Sequence, residues 1–361
     1  MKKMKNYKKT GKTLALLTGF SLLAALWGCT ARLHTEEETG RGRTENREDI
    51  TGESREENSG SRLSVVTTIF PYYDFIRQVG GDRIELSMVV PAGMDSHSFE
   101  PTPADMKLIQ DADLFICNGG EMEHWVSQAL EAIDTSGMDI VTMMDYVRVF
   151  EEEHVEGMEG GHDHEHEEED DSSHIGNDDG HNEEIEYDEH IWTSPVNAVV
   201  ITGKIKEALS EKDPENKGFY KENAENYQHS LEKLDREFKE VMKNRKRDMI
   251  VLGDKFPFRY LAEEYDLNYR AAFSGCSTDT EPSARTIAYL IEKVKENHIP
   301  AVYYLELSSH RVAEIISEET GAEPLLLHSC HNVTRKEFES GITYMELMEG
   351  NVESLRKGLD E

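Results

Sequence analysis

Basic residues are in short supply in this chain. Across 361 residues, 39 Lys plus Arg face 73 Asp plus Glu, for a formal net charge of −34. No basic face is visible to neutralise phosphates, which excludes a nucleic-acid partner. The shortage is complete in residues 151–190, where 19 acidic residues stand with no Lys or Arg. Long apolar runs are also missing. The N-terminal run LALLTGFSLLAALW has fourteen residues, short for a membrane span. No HExxH is present, so that zinc-hydrolase signature is absent. No period of self-similarity suggests a solenoid. Cysteine occurs only four times.

The residues that are present divide the chain. MKKMKNYKKTGK is a positive n-region ahead of the apolar run, and the run closes on Leu26-Trp27-Gly28-Cys29. Small Gly followed by Cys at that point resembles a bacterial lipobox, although Trp27 is bulky for its place. Residues 1–29 are therefore expected to be a lipoprotein signal peptide. A diacylated Cys29 would tether the protein to the extracellular face of the cell membrane. Residues 30–62 carry almost no apolar side chains and are expected to be a disordered tether. Of the other cysteines, Cys117 lies in the apolar run ADLFICN and reads as a buried thiol. Cys276 and Cys330 lie in polar, turn-like segments. An oxidising exterior would allow them to pair as a disulfide, and two free thiols are the alternative.

From Leu63 onward the apolar period alternates between strand and helix. SVVTTIF, IELSMVV, DLFICN and MDIVTMM read as strands, with helical stretches between them. A second series has strands DMIVLG, LNYRAAF, AVYYLEL and PLLLHSC. Between the two series, FYKENAENYQHSLEKLDREFKEVMKNR keeps apolar positions at Phe219, Tyr227, Leu231, Leu234, Phe238 and Val241, one long amphipathic helix. The expectation is an α/β fold: an N-terminal lobe at 63–210, a linking helix at 211–246 and a C-terminal lobe at 247–361, each lobe on a mostly parallel sheet. The acidic loop 151–187 interrupts the first lobe and has too little apolar side chain to bury.

Three segments carry candidate chemistry. His97 stands in the loop VVPAGMDSHSFEP, His190 in DEHIWTSP, and His328 at the end of LLLHSC. Loops at the carboxyl ends of strands are where α/β sheets hold ligands. His331 could take the place of His328, but His328 directly ends the apolar run and is expected at the cleft edge. His124 reads as a polar residue on the rim, and Trp192 as packing that fixes the His190 loop.

GMDSHSFEPTPADMKLIQDADLFICNG and DEHIWTSPVNA resemble two elements of the metal-binding lipoproteins of bacterial ABC importers. These are the zinc- and manganese-specific solute-binding proteins of cluster A-I. The resemblance runs from residue 63 to 361. It implies two (β/α) lobes joined by one long rigid helix, with the metal in the cleft between them. It also implies that His97 and His190 are ligands. The second lobe departs from the family. Where members usually carry S-H-x-A-F-x-Y, this chain has VLGDKFPFRYLAEEY, with no histidine. One account exchanges the roles, Asp254 giving oxygen where the family has nitrogen and His328 giving nitrogen where it has oxygen. Glu306 is the reserve carboxylate, and Asp254 as a helix cap is the alternative. Three imidazoles and one carboxylate favour Zn²⁺ over Mn²⁺.

The remaining histidines, His162, His164, His166, His174 and His181, belong to the acidic loop. They are expected to bind metal more weakly than the cleft, because ordering a floppy loop costs entropy. They would form a collecting arm, or only a solvated stretch that concentrates cations. The implied function is a monomeric, lipid-anchored zinc-binding protein that serves an ABC permease and performs no chemistry on a substrate. A manganese binder is the runner-up. A zinc hydrolase and a surface adhesin are the readings from other classes.

Overall fold

In a computed structural model of the protein, residues 62–159, 186–277 and 281–360 are described. The expected signal peptide with Cys29, nearly all of the expected tether, and His162, His164, His166, His174 and His181 lie outside them. Among the described residues, no helix is long and apolar enough to cross a membrane.

The first series folds as β1 (Leu63–Thr67), α1 (Phe70–Gly80), β2 (Ile84–Met88), α2 (Pro103–Gln110), β3 (Leu114–Cys117), α3 (His124–Ala132), β4 (Asp139–Thr142) and α4 (Pro195–Lys212). The second folds as β5 (Met249–Phe256), α6 (Arg259–Tyr265), β6 (Asn268–Ser274), α7 (Ala284–Glu296), β7 (Ala301–Tyr304), α8 (Arg311–Thr320), β8 (Glu323–Leu326), α9 (Arg335–Ser340) and α10 (Tyr344–Asp360). Between them runs α5 (Lys217–Asn244). Each series makes one four-stranded parallel sheet, in the orders β2-β1-β3-β4 and β6-β5-β7-β8. Both sheets reverse direction of growth beside their first strand, which opens a crevice beyond the strands' carboxyl ends.

Local signals explain many of the boundaries. Thr102 and Asp105 close a capping box at the start of α2, behind Pro103 in the first turn. Ser194 accepts the Asn197 N–H and begins α4, again ahead of a proline. Ile69 and Phe70 leave the expected first strand. They start α1 instead, because Pro71 in its first turn favours helical φ and lacks the N–H a strand would use.

Helix α5 has 28 residues, roughly 42 Å at 1.5 Å per residue. Its buried stripe is Tyr220, Ala224, Tyr227, Leu231, Leu234, Phe238 and Val241, spaced alternately four and three. Tyr220, not the expected Phe219, lies on that stripe. Phe219 is only partly buried and takes the Arg83 guanidinium over its ring at 5.3 Å. The helix packs on α1 and α4 on one side of the chain and on α6 and α10 on the other. Buried Asp74 on α1 tightens the joint. Its Oδ2 accepts the Tyr344 N–H at the start of α10 at 2.8 Å, and its Oδ1 pairs with Arg77 at 2.5 Å.

Candidate metal site

The loops beyond the strand ends enclose a cleft of about 510 Å³ lined from both lobes. His97 reaches it on the chain after β2. Asp95 caps the single turn Ser96–Ser98 by accepting the His97 N–H at 3.0 Å. His190 enters from the segment that leads into α4 and is 2% exposed. One oxygen of Asp188 accepts its backbone N–H at 2.9 Å and lies 3.2 Å from its ring Nδ1. The Asp188 carbonyl in turn accepts the Tyr260 hydroxyl at 2.6 Å. With Nδ1 held in this way, Nε2 is the nitrogen left for an ion. The fit is close: a Cβ on Gly275 would lie 3.3 Å from the His190 ring and 3.0 Å from the Asp188 carboxylate. Trp192, fully buried, donates to the Ser329 carbonyl at 2.8 Å and fixes this loop against the second lobe.

A third imidazole on the cleft lining is that of His331, whereas His328 is not part of that lining. The His331 ring centroid lies 6.0 Å from that of His97 and 5.9 Å from that of His190. Two imidazoles sharing one tetrahedral Zn²⁺ would have centroids roughly 5 Å apart, given metal–nitrogen bonds of about 2.0–2.1 Å. His331 is thus within about an ångström of the spacing at which it could share an ion with either of the other two rings. Among the described residues, no three His, Cys, Asp or Glu side chains are yet drawn together closely enough to hold one. The Ser96 hydroxyl sits 2.6 Å from His331 Nε2 and would have to give way.

His328, expected at the cleft edge, lies off the cleft lining. Strand β8 ends at Leu326, two residues before it. The side chain of Asn351 on α10 grips the backbone here, accepting the His328 N–H and donating to its carbonyl, both at 2.7 Å. The ring turns inward, 3% exposed, with Nδ1 accepting the Cys330 N–H at 2.9 Å. Cys330 then adopts a left-handed backbone, φ 59°, and that bend carries His331 back towards the cleft. Neither the bend nor the Asn351 contact has a local sequence signal.

The two expected carboxylates line the cleft but are occupied. Asp254 sits at the register jump of β5 against β6. Its oxygens accept the Lys255 N–H at 2.9 Å and the Leu305 N–H at 3.4 Å. It does not cap a helix, since α6 starts five residues later. Glu306 accepts both the N–H and the hydroxyl of Ser329 and lies 3.5 Å from His328 Nδ1. Its visible role is to clasp the chain that leads to His331. His124 is exposed at the start of α3.

The expected disulfide is absent: Cys117, Cys276 and Cys330 are free thiols. Cys330 is wholly buried, its sulfur turned towards the His328 carbonyl. Cys276 lies beyond β6, its N–H donating to Glu152 at 2.8 Å. Burial pushes the Cys117 thiol up to about 12, so it is unreactive as well as enclosed.

Electrostatics divide the three imidazoles. Burial lowers His97 to about 4, helped by the neighbouring His190. Burial, His190 and His97 together hold His331 well below the usual histidine value. Both are neutral, ready donors at neutral pH. Burial would lower His190 too, but the Asp188 carboxylate outweighs it and raises this ring above its ordinary value.

Two α/β lobes on a rigid helix, with imidazoles facing one another across a cleft, are the architecture of a two-lobed solute-binding protein. The chain belongs to the family described as zinc-uptake complex component A, periplasmic, whose pattern it matches over residues 65–358. It is 32% identical over 311 residues to the zinc-binding lipoprotein AdcA of Streptococcus pneumoniae, a match covering 85% of this chain and 58% of AdcA. The chain thus spans a little over half the length of that relative. It is 31% identical over 303 residues to the high-affinity zinc uptake system protein ZnuA of Bacillus subtilis, covering 84% of this chain and 89% of ZnuA. Among solved structures it resembles the Zn(II)-bound ZnuA-like domain of S. pneumoniae AdcA, with a TM-score of 0.66 and 30% identity, over 83% of this chain and all of the domain. These relatives are binding proteins, not enzymes.

Proposed function

We propose that this protein captures Zn²⁺ in the interlobe cleft through His97, His190 and His331 and delivers it to the permease of an ABC importer. The observation that carries the reading is the approach of His331 to both His97 and His190 across the cleft, at 6.0 and 5.9 Å. Three imidazole donors suit Zn²⁺ better than Mn²⁺, which prefers oxygen. Sharing the donors between lobes gives a means of release. Parting the lobes withdraws His331 from the other two, and the ion loses a ligand without any chemical step. Cys29 would carry the lipid that keeps the protein at the extracellular face, within reach of its permease. The acidic segment before His190, with its five histidines, would gather cations for the cleft.

The test is a metal-loaded crystal of the full chain, with anomalous scattering recorded at the zinc edge. The expected result is one strong peak within about 2.1 Å of nitrogens of His97, His190 and His331. A peak at His328, or none in the cleft, would refute the ligand set.

A further inference from the structure

His331 stands between two tethers to the N-terminal lobe. Two residues before it, the Ser329 carbonyl accepts the Trp192 N–H from the His190 loop at 2.8 Å. One residue after it, the Asn332 side chain reaches the loop that carries His97. Its Nδ2 donates to the Pro91 carbonyl at 3.0 Å and to the Met94 carbonyl at 2.5 Å. Both amide hydrogens are thus spent on the other lobe. Its Oδ1 accepts the Val333 N–H at 2.7 Å, which fixes the side chain from its own lobe, and the Gly93 N–H at 3.4 Å. The receiving loop is a tight turn, closed from the Met94 N–H to the Pro91 carbonyl at 3.1 Å, with Gly93 left-handed at φ 86°. The two tethers differ in access to water. Trp192 is fully buried, whereas Asn332, Gly93 and Met94 line the cleft and Met94 is 42% exposed. Contacts open to water part at lower free energy than enclosed ones, so the Asn332 tether opens first.

We infer that Asn332 is an interlobe latch and a positioning residue: it sets the spacing of His331 from His97 before an ion arrives and governs how fast the ion leaves. This rests on the cleft reading above and adds how release is controlled. The other contact between these two loops, the Ser96 hydroxyl on the His331 ring, has to give way when an ion binds. Asn332 touches only backbone groups of the His97 loop, so it holds the lobes with or without the ion. Latch and ligand adjoin in sequence, and a movement that frees Asn332 carries His331 with it. The amide is the chemistry the place requires. A carboxylate here would keep the acceptor for Val333 but set oxygen against the Pro91 and Met94 carbonyls.

The experiment compares Asn332→Ala and Asn332→Asp with the parent, all as the full chain. Stopped-flow mixing with a chelator reads zinc dissociation, and hydrogen exchange reads the metal-free protein. Both variants should release zinc faster, by about tenfold or more. The sign for Asn332→Asp is decisive. It keeps the Val333 contact, and its added negative charge alone would slow release of a cation, so faster release isolates the loss of the two donors. In the metal-free protein, residues 91–97 should lose protection in both variants. Release from Asn332→Asp no faster than from the parent, or parent-like exchange over 91–97, overturns the latch. Hydrogen exchange needs no ion and so separates the two levels. If protection is lost as expected while His97→Ala binds zinc as the parent does, the interlobe contact stands and the cleft reading is wrong.

Discussion

The two lobes share one topology and use it unequally. The N-terminal lobe offers two imidazoles on loops that are built before any ion arrives. His97 rides a turn capped by Asp95, and His190 is fixed at both its backbone and its ring by Asp188. The C-terminal lobe offers one, and only after a left-handed residue has bent the chain away from His328. Its other contribution to the cleft includes a cation, Lys255. In the proposed site, one lobe thus supplies a fixed half and the other a half assembled by long-range contacts. Affinity should depend on both lobes. Sensitivity to distant substitutions should lie mostly in the second.

The strongest way to break this comparison is to exchange the two late histidines. His331→Ala should lower zinc affinity by more than about 100-fold, beyond the loss usual for residues that merely support a ligand. His328→Ala should leave the cleft's zinc affinity within a few-fold and instead cost roughly 2 kcal/mol of stability, as a buried ring leaves a void and an unpartnered N–H. Zinc titration beside chemical denaturation checks both. The reverse pattern would restore His328 as the ligand.

A smaller effect tests the fixed half. Asp188→Asn should weaken zinc binding by about 10–100-fold at neutral pH, since the carboxylate orients His190 and raises its basicity. The pH profile should move as well. A proton competes with the ion for His190, so affinity falls as pH drops through the pKa that Asp188 raises. Removing that carboxylate lowers the pKa, and the acid-side loss should shift to lower pH. Titrations between about pH 5 and 8 decide it, and superimposable profiles would detach Asp188 from the His190 ring. His97 and His331, already held neutral, should contribute no loss in the upper part of that range.

The smallest expected change concerns the acidic segment. Excising residues 160–185 should leave the tight site's affinity unchanged and remove only additional, weaker zinc equivalents. Calorimetric counting of sites on the shortened chain checks this. Loss of the tight site would make that segment part of the cleft.

The sequence by itself determined the alternation of strand and helix, the long linking helix and the placement of His97 and His190 on the cleft. In each case the information is local. Periodicity marks the buried faces, and the motifs around His97 and His190 contain their own supports, Asp95 two residues before one and Asp188 two residues before the other. Only the tertiary structure decided which late histidine reaches the cleft. An apolar run ending in LLLHSCHN cannot show that the strand stops at Leu326 or that Asn351, 23 residues further on, holds the His328 backbone. Nor can it show that Cys330 takes a left-handed bend. Nor does the sequence show that a backbone donor already holds the carboxylates of Asp254 and Glu306. That depends on neighbours up to 51 residues distant along the chain, which no local pattern encodes.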